Sequence, residues 1–577
     1  MVIRPRRAPL TRCACAAAIA IATAACTSAN PGAATHSPAT HSPTTQEPAA
    51  VSGTEASAAP ATDAPVPAAP SPALPGPASA GGEITAGLVP LPVLASTDDS
   101  ASYTLNSRTS ITAGPGAGVA AAAGDLATLL RPATGFALDV SSGPADSAPA
   151  NSIVLRLGPA NAALGSEGYD LTISAGGVLL VANAPAGLFH GVQTLRQLLP
   201  ASIEATTRQA GPWRVIGGHI VDYPRFSYRG AMLDVTRHFF TVAEVERYID
   251  ELALYKVNVL HLHLSDDQGW RLAIDGWPNL AAHGGSSEVG NSHKGGYYTK
   301  ADYTAIVNYA QERYITVVPE IDTPSHTNAA LSSYPELNCD GVAPPVYTGE
   351  NVGFSSLCVG KPITYEFLDA VVAELAALTP GPYIHLGGDE AQSTSASDYI
   401  TYVQKAQAIV EAHGKSLMGW AEISAAKLDP GTVAEYWKFS DGGKSEVAAA
   451  RQGAKVVEAP ANHAYLDQKY DAQTPLGLTW AGDNDVEDAY DWDPDDGQIP
   501  ASDVLGVEGP LWSETLKTMA DVEYMAWPRM AGIAEIGWTP QPERGWATYQ
   551  KRLANQAPRW NALGMNYFRS AQVPWAP

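Results

Sequence analysis

Two carboxylates stand side by side at Asp389 and Glu390, directly after a short apolar run and two glycines in the string HLGGDE (385–390). A strand over 383–386 would end there and turn both acids into a loop. Adjacent carboxylates repel, which raises the proton affinity of at least one of them. One acid can then hold a proton near neutral pH while its neighbour stays ionised, the division that acid–base chemistry uses. Taken alone, a DE pair is more commonly two solvated loop acids. The residues at neighbouring strand ends decide between the two readings.

From Pro224 onward short apolar runs alternate with amphipathic helices. The runs 229–235, 257–264, 315–321, 383–386, 416–420, 433–437, 455–459 and 504–507 read as strands. Helical spacing covers 242–255, 300–312, 366–378, 396–412 and 522–536. Eight strands with intervening helices predict a (β/α)8 barrel over 223–577, an α/β fold. The segments after the fifth and seventh strands lack a convincing full helix. Active sites of such barrels lie at the carboxyl ends of the strands. Those ends carry Arg237, Asp266, Asp322 with His326, Asp389 with Glu390, Trp420, Trp437, Tyr465 with Asp467, and Trp512 with Glu514. Acids and tryptophans with a single arginine compose a sugar site: carboxylates bond ring hydroxyls, and aromatic faces cover the C–H faces of a pyranose. His261 and His263 form an HxH pair that a metal-dependent hydrolase could use. Only His326 and His385 could complete such a ligand set, so no metal is expected, and the pair reads as barrel-interior packing or as support for the site.

Ahead of the barrel, residues 83–222 read as a small non-catalytic α+β domain, with a helix over 118–130, a strand over 152–157, a hairpin over 169–183 and a helix over 186–199. Residues 27–82 are nearly all Ala, Pro, Ser and Thr and read as a disordered tether. Residues 1–26 read as an export signal: Arg4, Arg6, Arg7 and Arg12 precede an apolar stretch too short to span a bilayer. It ends at Ala24-Ala25-Cys26, similar to a lipoprotein cleavage box with Cys26 as the lipidated residue, which predicts an extracellular, envelope-anchored protein. Two of the five cysteines, Cys339 and Cys358, remain for the folded part, and in an exported chain they most simply pair. Lys plus Arg number 35 against 59 Asp plus Glu, a formal charge of −24 over 577 residues. Such a surface repels phosphate backbones, so nucleic acid is not expected as a partner, and membrane contact is expected only through the lipid.

The runs RGAMLDVTRHFF (229–240), HLHLSDDQGWR (261–271), PEIDTPSHTNAAL (319–331), HLGGDE (385–390), YLDQKY (465–470), PLGLTW (475–480) and GVEGPLWSET (506–515) resemble glycoside hydrolase family 20, the β-N-acetylhexosaminidases, and bacterial members most of all. The resemblance implies a retaining, substrate-assisted mechanism without a cofactor, in which the sugar's own 2-acetamido oxygen attacks the anomeric carbon. It implies that Glu390 is the general acid and base and that Asp389 orients the acetamido N–H. Tyr465 would bond the acetamido oxygen, and Trp420, Trp437 and Trp512 would wall the pocket for its methyl group. Arg237 would clamp O3 and O4, with Glu514 at O4, Asp467 near O6 and Trp480 at the pocket edge. Asp266 and His326 would stand behind Glu390 and tune it, and Cys339–Cys358 would match the family's loop disulfide. Release of a disaccharide such as lacto-N-biose, and a tethered glycan-binding protein without catalysis, are the competing readings. A two-carboxylate glycosidase is a third, although acids on adjacent residues are poorly placed to flank both faces of one bond.

Overall fold

The computed structural model describes residues 84–144, 148–158, 162–291 and 294–576. The signal segment, Cys26 and the tether lie outside the described residues.

Seven strands form the sheet of the first domain: β1 (Leu94–Leu105), β2 (Ser110–Ala113), β3 (Val140–Ser142), β4 (Ser152–Leu157), β5 (Tyr169–Ile173), β6 (Gly177–Ala182) and β7 (Trp213–Asp222). Their order is β1-β7-β5-β6-β4-β2-β3. The expected hairpin is present as antiparallel β5 and β6. Strands β1, β2, β3 and β7 escape the sequence reading. β1 is a polar edge strand whose central residues face solvent, so it carries little hydrophobic signal. Helices Val119–Thr134 and Pro185–Leu198 cover one face of this sheet through Leu126, Leu130, Leu188, Val192 and Leu195.

The barrel follows as predicted. Parallel strands β8 (Tyr228–Asp234), β9 (Val259–His263), β10 (Thr316–Glu320), β11 (Tyr383–His385), β12 (Ser416–Trp420), β13 (Val433–Tyr436), β14 (Lys455–Glu458) and β15 (Val504–Leu511) close on one another. Every residue of β8 and β9 is buried, as befits strands covered on both faces. β12 is followed only by a 3₁₀ turn at Ala421–Ala425, and no helix lies between β14 and β15, where the sequence shows no helical period.

Two expectations are corrected. The single helix over 522–536 is two, Met519–Ala526 and Arg529–Trp538, separated by Trp527 and Pro528. Proline disfavours helical geometry in the residue before it, and Trp527 lies at φ −100° and ψ 133°. β15 runs to Leu511 rather than ending at Val507. Beyond Val507 it pairs with no strand but β8, so Pro510, which has no N–H to give, sits where the other side meets only a loop, whose Leu466 N donates to the Pro510 carbonyl at 2.7 Å.

Alternation along the strands sets the interior of the barrel in layers. Tyr228, Val259, Val318, Met418, Val433 and Val457 form an apolar layer. Two residues further along β9, β10, β11, β12 and β13 stand His261, Glu320, His385, Trp420 and Glu435, all buried. The catalytic face is built on this polar layer.

Candidate active site

The loop that ends β11 is held in a shape only glycine permits. Gly387 has φ 66°, and a Cβ there would lie 1.7 Å from Asp322 Oδ1. Gly388 N donates to that same oxygen at 3.1 Å, and Tyr399 Oη donates to the Gly388 carbonyl at 2.6 Å. Ser325 Oγ donates to the Asp389 carbonyl. Glu390 itself lies at φ 47°, a conformation uncommon outside glycine, and the surrounding bonds hold it there.

Asp389 and Glu390 share one neighbour. His326 Nε2 lies 3.3 Å from Glu390 Oε2 and 3.6 Å from Asp389 Oδ2. Its Nδ1 lies 3.2 Å from Asp266 Oδ1. Burial works against the imidazolium of His326, but Asp266, Asp389 and Asp322 lift its pKa well above the usual histidine range. Burial would likewise raise Asp266, yet Arg237 and His326 hold it well below the carboxylate range. Asp389 is pushed up to about 6 by burial, with Glu390 adding to the rise and His326 opposing it. Asp322 is driven well above its ordinary value by burial and by Asp389. Burial and Glu390 thus raise the proton affinity of Asp389, which is nonetheless the carboxylate above about pH 6.

Arg237 is a buried cation with three acidic neighbours: Asp266 Oδ2 at 2.9 Å, Asp234 Oδ2 at 3.2 Å and Glu514 Oε1 at 4.0 Å. Its Nε donates to Gln268 Oε1 at 3.1 Å, and its guanidinium covers the Trp512 ring at 4.9 Å. Burial pushes Glu514 up against the pull of Arg237, and burial with Glu514 pushes Asp467 well up. Asp467 Oδ1 is buried without a protein partner, whereas Oδ2 accepts from Gln468. A sugar hydroxyl is the kind of donor such an oxygen lacks.

The aromatic residues make a continuous wall. Ring centroids of Trp420 and Trp512 are 5.8 Å apart, Trp512 and Tyr465 6.2 Å, Tyr465 and Trp437 6.4 Å, and Trp437 and Trp480 5.9 Å. Trp420 and Tyr465 are buried, whereas Trp480 is 51 % exposed at the edge of this wall. Burial keeps the Tyr465 hydroxyl protonated far above neutral pH, so it is a hydrogen-bond donor. Cys339 and Cys358 form a disulfide with Cα atoms 4.9 Å apart. The loop they close reaches the site: Ser355 Oγ donates to Asp267 Oδ1 at 2.5 Å, and Gln268 Nε2 donates to the Gly349 carbonyl at 2.8 Å. Gln268 is also the partner of Arg237.

The structure thus brings together Arg237, Asp266, His326, Asp389, Glu390, Trp420, Trp437, Tyr465, Asp467, Trp480, Trp512 and Glu514 at one end of the barrel. Sequence reasoning missed Glu422, which accepts the Trp437 indole proton at 3.0 Å and is pushed up to about 7 by burial and by Asp389. Its signal was available: it stands two residues beyond Trp420, just past a strand end. Gln268 and Asp234 were also missed, and nothing in their local sequence separates them from structural residues. The HxH pair faces carboxylates: His261 Nδ1 lies 2.8 Å from Glu508 Oε1, and His263 Nε2 lies 2.8 Å from Asp266 Oδ2.

Residues 226–541 match glycosyl hydrolase family 20, catalytic domain, and residues 85–223 match glycosyl hydrolase family 20, domain 2. A beta-N-acetylhexosaminidase of Cellulomonas fimi is 40 % identical over 492 residues, 85 % of this chain and 97 % of that protein. The structure of the GH20 beta-N-acetylhexosaminidase from Streptomyces coelicolor A3(2) superposes with a TM-score of 0.82 at 51 % identity, covering 85 % of this chain and 99 % of that one. A mutant Streptomyces plicatus beta-hexosaminidase in complex with its product GlcNAc is similar at 50 % identity and a TM-score of 0.82, over 87 % of this chain and 99 % of that one.

Proposed function

This chain belongs to glycosyl hydrolase family 20, and on that footing we propose that it is an exo-acting, retaining β-N-acetylhexosaminidase that removes terminal N-acetylglucosamine or N-acetylgalactosamine. The observation that carries the reading is the shared position of His326 between Asp389 and Glu390, beside an aromatic wall that has the Tyr465 hydroxyl at its middle. Glu390 gives its proton to the glycosidic oxygen as the C1–O bond breaks, and the bonding pair leaves with that oxygen. The acetamido oxygen, steered by the Tyr465 hydroxyl, forms the new bond to C1 and gives an oxazolinium ion. Asp389, as the carboxylate, accepts the acetamido N–H and offsets the positive charge that develops. Water then attacks C1 from the vacated side as Glu390 takes its proton, the bond from C1 to the acetamido oxygen breaks with its electron pair returning to the acetamide, and the configuration is retained. An internal nucleophile held in place is worth effective molarities of about 10⁵ to 10⁸ M, more than the roughly 10²- to 10⁴-fold supplied by a general acid. Positioning of the acetamido group is accordingly the larger demand on the site.

Arg237 is buried beneath Trp512 and anchored by Asp234, Asp266 and Gln268, which supports a clamp for the hydroxyls of one terminal sugar. The test compares an aryl N-acetyl-β-glucosaminide with the matching aryl β-glucoside. Turnover of the first alone is expected; comparable turnover of both would mean that the protein supplies its own nucleophile.

Export and lipid anchoring at Cys26 belong to the same proposal, supported by Arg4, Arg6, Arg7 and the Ala24-Ala25-Cys26 box. Among the described residues no helix is long and apolar enough to cross a membrane. An envelope-tethered exo-enzyme would trim chitin fragments, peptidoglycan pieces or host glycans outside the cell. The Cys26→Ala protein should appear in the culture medium and lose labelling by a fatty-acid probe; retention in the membrane fraction with label would refute anchoring at Cys26.

A further inference from the structure

Glu320, at the end of β10, is fully buried behind the pocket and touches both halves of the site. Its Oε1 accepts the indole proton of Trp420 at 3.1 Å, and its Oε2 accepts the Nδ1 proton of His263 at 2.5 Å. His261 Nε2 and His385 Nδ1 also face it, each at 3.0 Å. His263 in turn lies 2.8 Å from Asp266 Oδ2 through Nε2, so each of its ring nitrogens meets a carboxylate oxygen. A neutral imidazole has one N–H and can donate to only one of them; bonds on both sides require the imidazolium. Burial opposes that charge, but Glu320 and Asp266 outweigh it and bring His263 up to about 9.

Beyond Asp266 the line continues through His326 to Glu390. Carboxylate and imidazole alternate along it: Glu320, His263, Asp266, His326, Glu390. Each of the three inner members is oriented by its neighbours on both sides, the way an imidazole's second hydrogen bond fixes the tautomer and angle of the first. Asp266 Oδ2 also takes Arg237 Nη2 at 2.9 Å, so the same line meets the hydroxyl clamp.

We propose that Glu320 and His263 are positioning residues that lock the Trp420 wall of the acetamido pocket to the proton-transfer line ending at Glu390. This rests on the hexosaminidase reading above. The internal nucleophile and the acid must act on the same C1–O bond, and a shared buried anchor holds them in register without contact with substrate. Glu320→Gln offers one acceptor oxygen where the carboxylate offers two, so the Trp420 and His263 N–H groups compete for it and both branches slacken together. Loss of His263 slackens only the acid branch. The other charged or titratable groups of this layer are His261, His385, Glu435 and Glu508, which face Glu320 or one another and not Glu390.

The test uses two aryl N-acetyl-β-glucosaminides, one with a good and one with a poor leaving group, and an oxazoline-mimicking inhibitor. If the parent protein turns over neither substrate, the hexosaminidase reading fails before any variant is compared. With an active parent, His263→Gln should lose at least ~10-fold more kcat on the poor leaving group than on the good one. Its inhibitor affinity should stay within about twofold of the parent. Glu320→Gln should show the same leaving-group penalty together with at least ~10-fold weaker inhibitor binding. Equal losses on both substrates in folded His263→Gln would mean a purely structural role and would overturn the proposal, as would unchanged inhibitor binding in folded Glu320→Gln. Should Glu320→Gln not fold, Trp420→Phe removes the same indole bond: weaker inhibitor binding with the parental leaving-group dependence is expected, and unchanged binding would overturn the pocket branch.

Discussion

Asp389 pays twice for its place in the pocket, since it is buried and feels the charges of Glu390 and Glu320. Its folded pKa of about 6 lies above the unfolded value of about 3.9, so the folded state binds this proton more tightly. The ionised carboxylate therefore weakens the fold. The cost is absent below about pH 4, grows as pH rises through 6, and is complete above it. Asp389→Asn removes the charge and keeps the shape. It should melt higher than the parent at pH 7.5, by a stabilisation on the order of 1–3 kcal/mol, and level with it near pH 4. Its kcat/KM should fall by at least ~100-fold, because an amide cannot offset the oxazolinium charge. Thermal melts at the two pH values check this, and an equal difference at both would show that the charge is not the cause. Glu390→Gln should abolish turnover of poor leaving groups while leaving inhibitor binding near parental.

Elements hold these acids by close approach. The turn after β11 brings Gly387 against Asp322, and Trp420 N donates to the Gly387 carbonyl at 2.9 Å, so β10, β11 and β12 meet at one residue. Gly387→Ala puts a methyl group on the Asp322 carboxyl at a positive φ that alanine resists. A loss of about 2–4 kcal/mol in stability is expected, with activity reduced far more than a surface substitution would cause. Denaturant unfolding with parallel kinetics decides this; a fully active, equally stable variant would show that the turn has room to relax. The loop closed by Cys339–Cys358 works in the same manner from the opposite side, through Gly349 to Gln268 and from there to Arg237.

At the scale of the whole molecule, the first domain is bolted to the barrel by buried polar contacts. Lys256 Nζ bonds Asp222 at 2.9 Å, Trp538 Nε1 bonds Asp222 at 2.8 Å, and Arg559 bonds Glu204 and the Leu199 carbonyl. Trp538 of the barrel also packs in the core of the first domain. Breaking a buried pair strands its partner, which costs about 3–5 kcal/mol. Here Arg196 still pairs Glu204, so Arg559→Met should lower stability by less, about 1–3 kcal/mol at pH 7, while leaving kcat and KM intact, because it touches no residue of the site. Glu204 is held below its usual pKa by Arg196 and Arg559 against burial, so the stability this pair contributes is present at neutral pH and is lost as pH falls through its lowered pKa. Thermal denaturation at pH 7 beside 25 °C kinetics tests this, and lost activity at parental stability would contradict it.

Local sequence carried the barrel, because eight buried strands and their helices each announce themselves by apolar spacing. It also carried the acids and tryptophans at strand ends, because position on a barrel strand says which end a residue faces. It missed the polar edge strand β1, whose residues lack the apolar period, and the break at Pro528, where a helical pattern runs through a residue that cannot continue it. Tertiary structure alone decided the connections. Glu320, His263, Asp266, His326 and Glu390 come from the ends of three neighbouring strands and the loops after them, and only the pairing of those strands sets them in line. Folding also raised the pKa of Asp389, because burial and the approach of Glu320, 69 residues earlier in the chain, are not properties of the DE pair itself. Residue types and periods are local quantities and can be read along a chain; charge coupling depends on distance through space, and that exists only once the chain has folded.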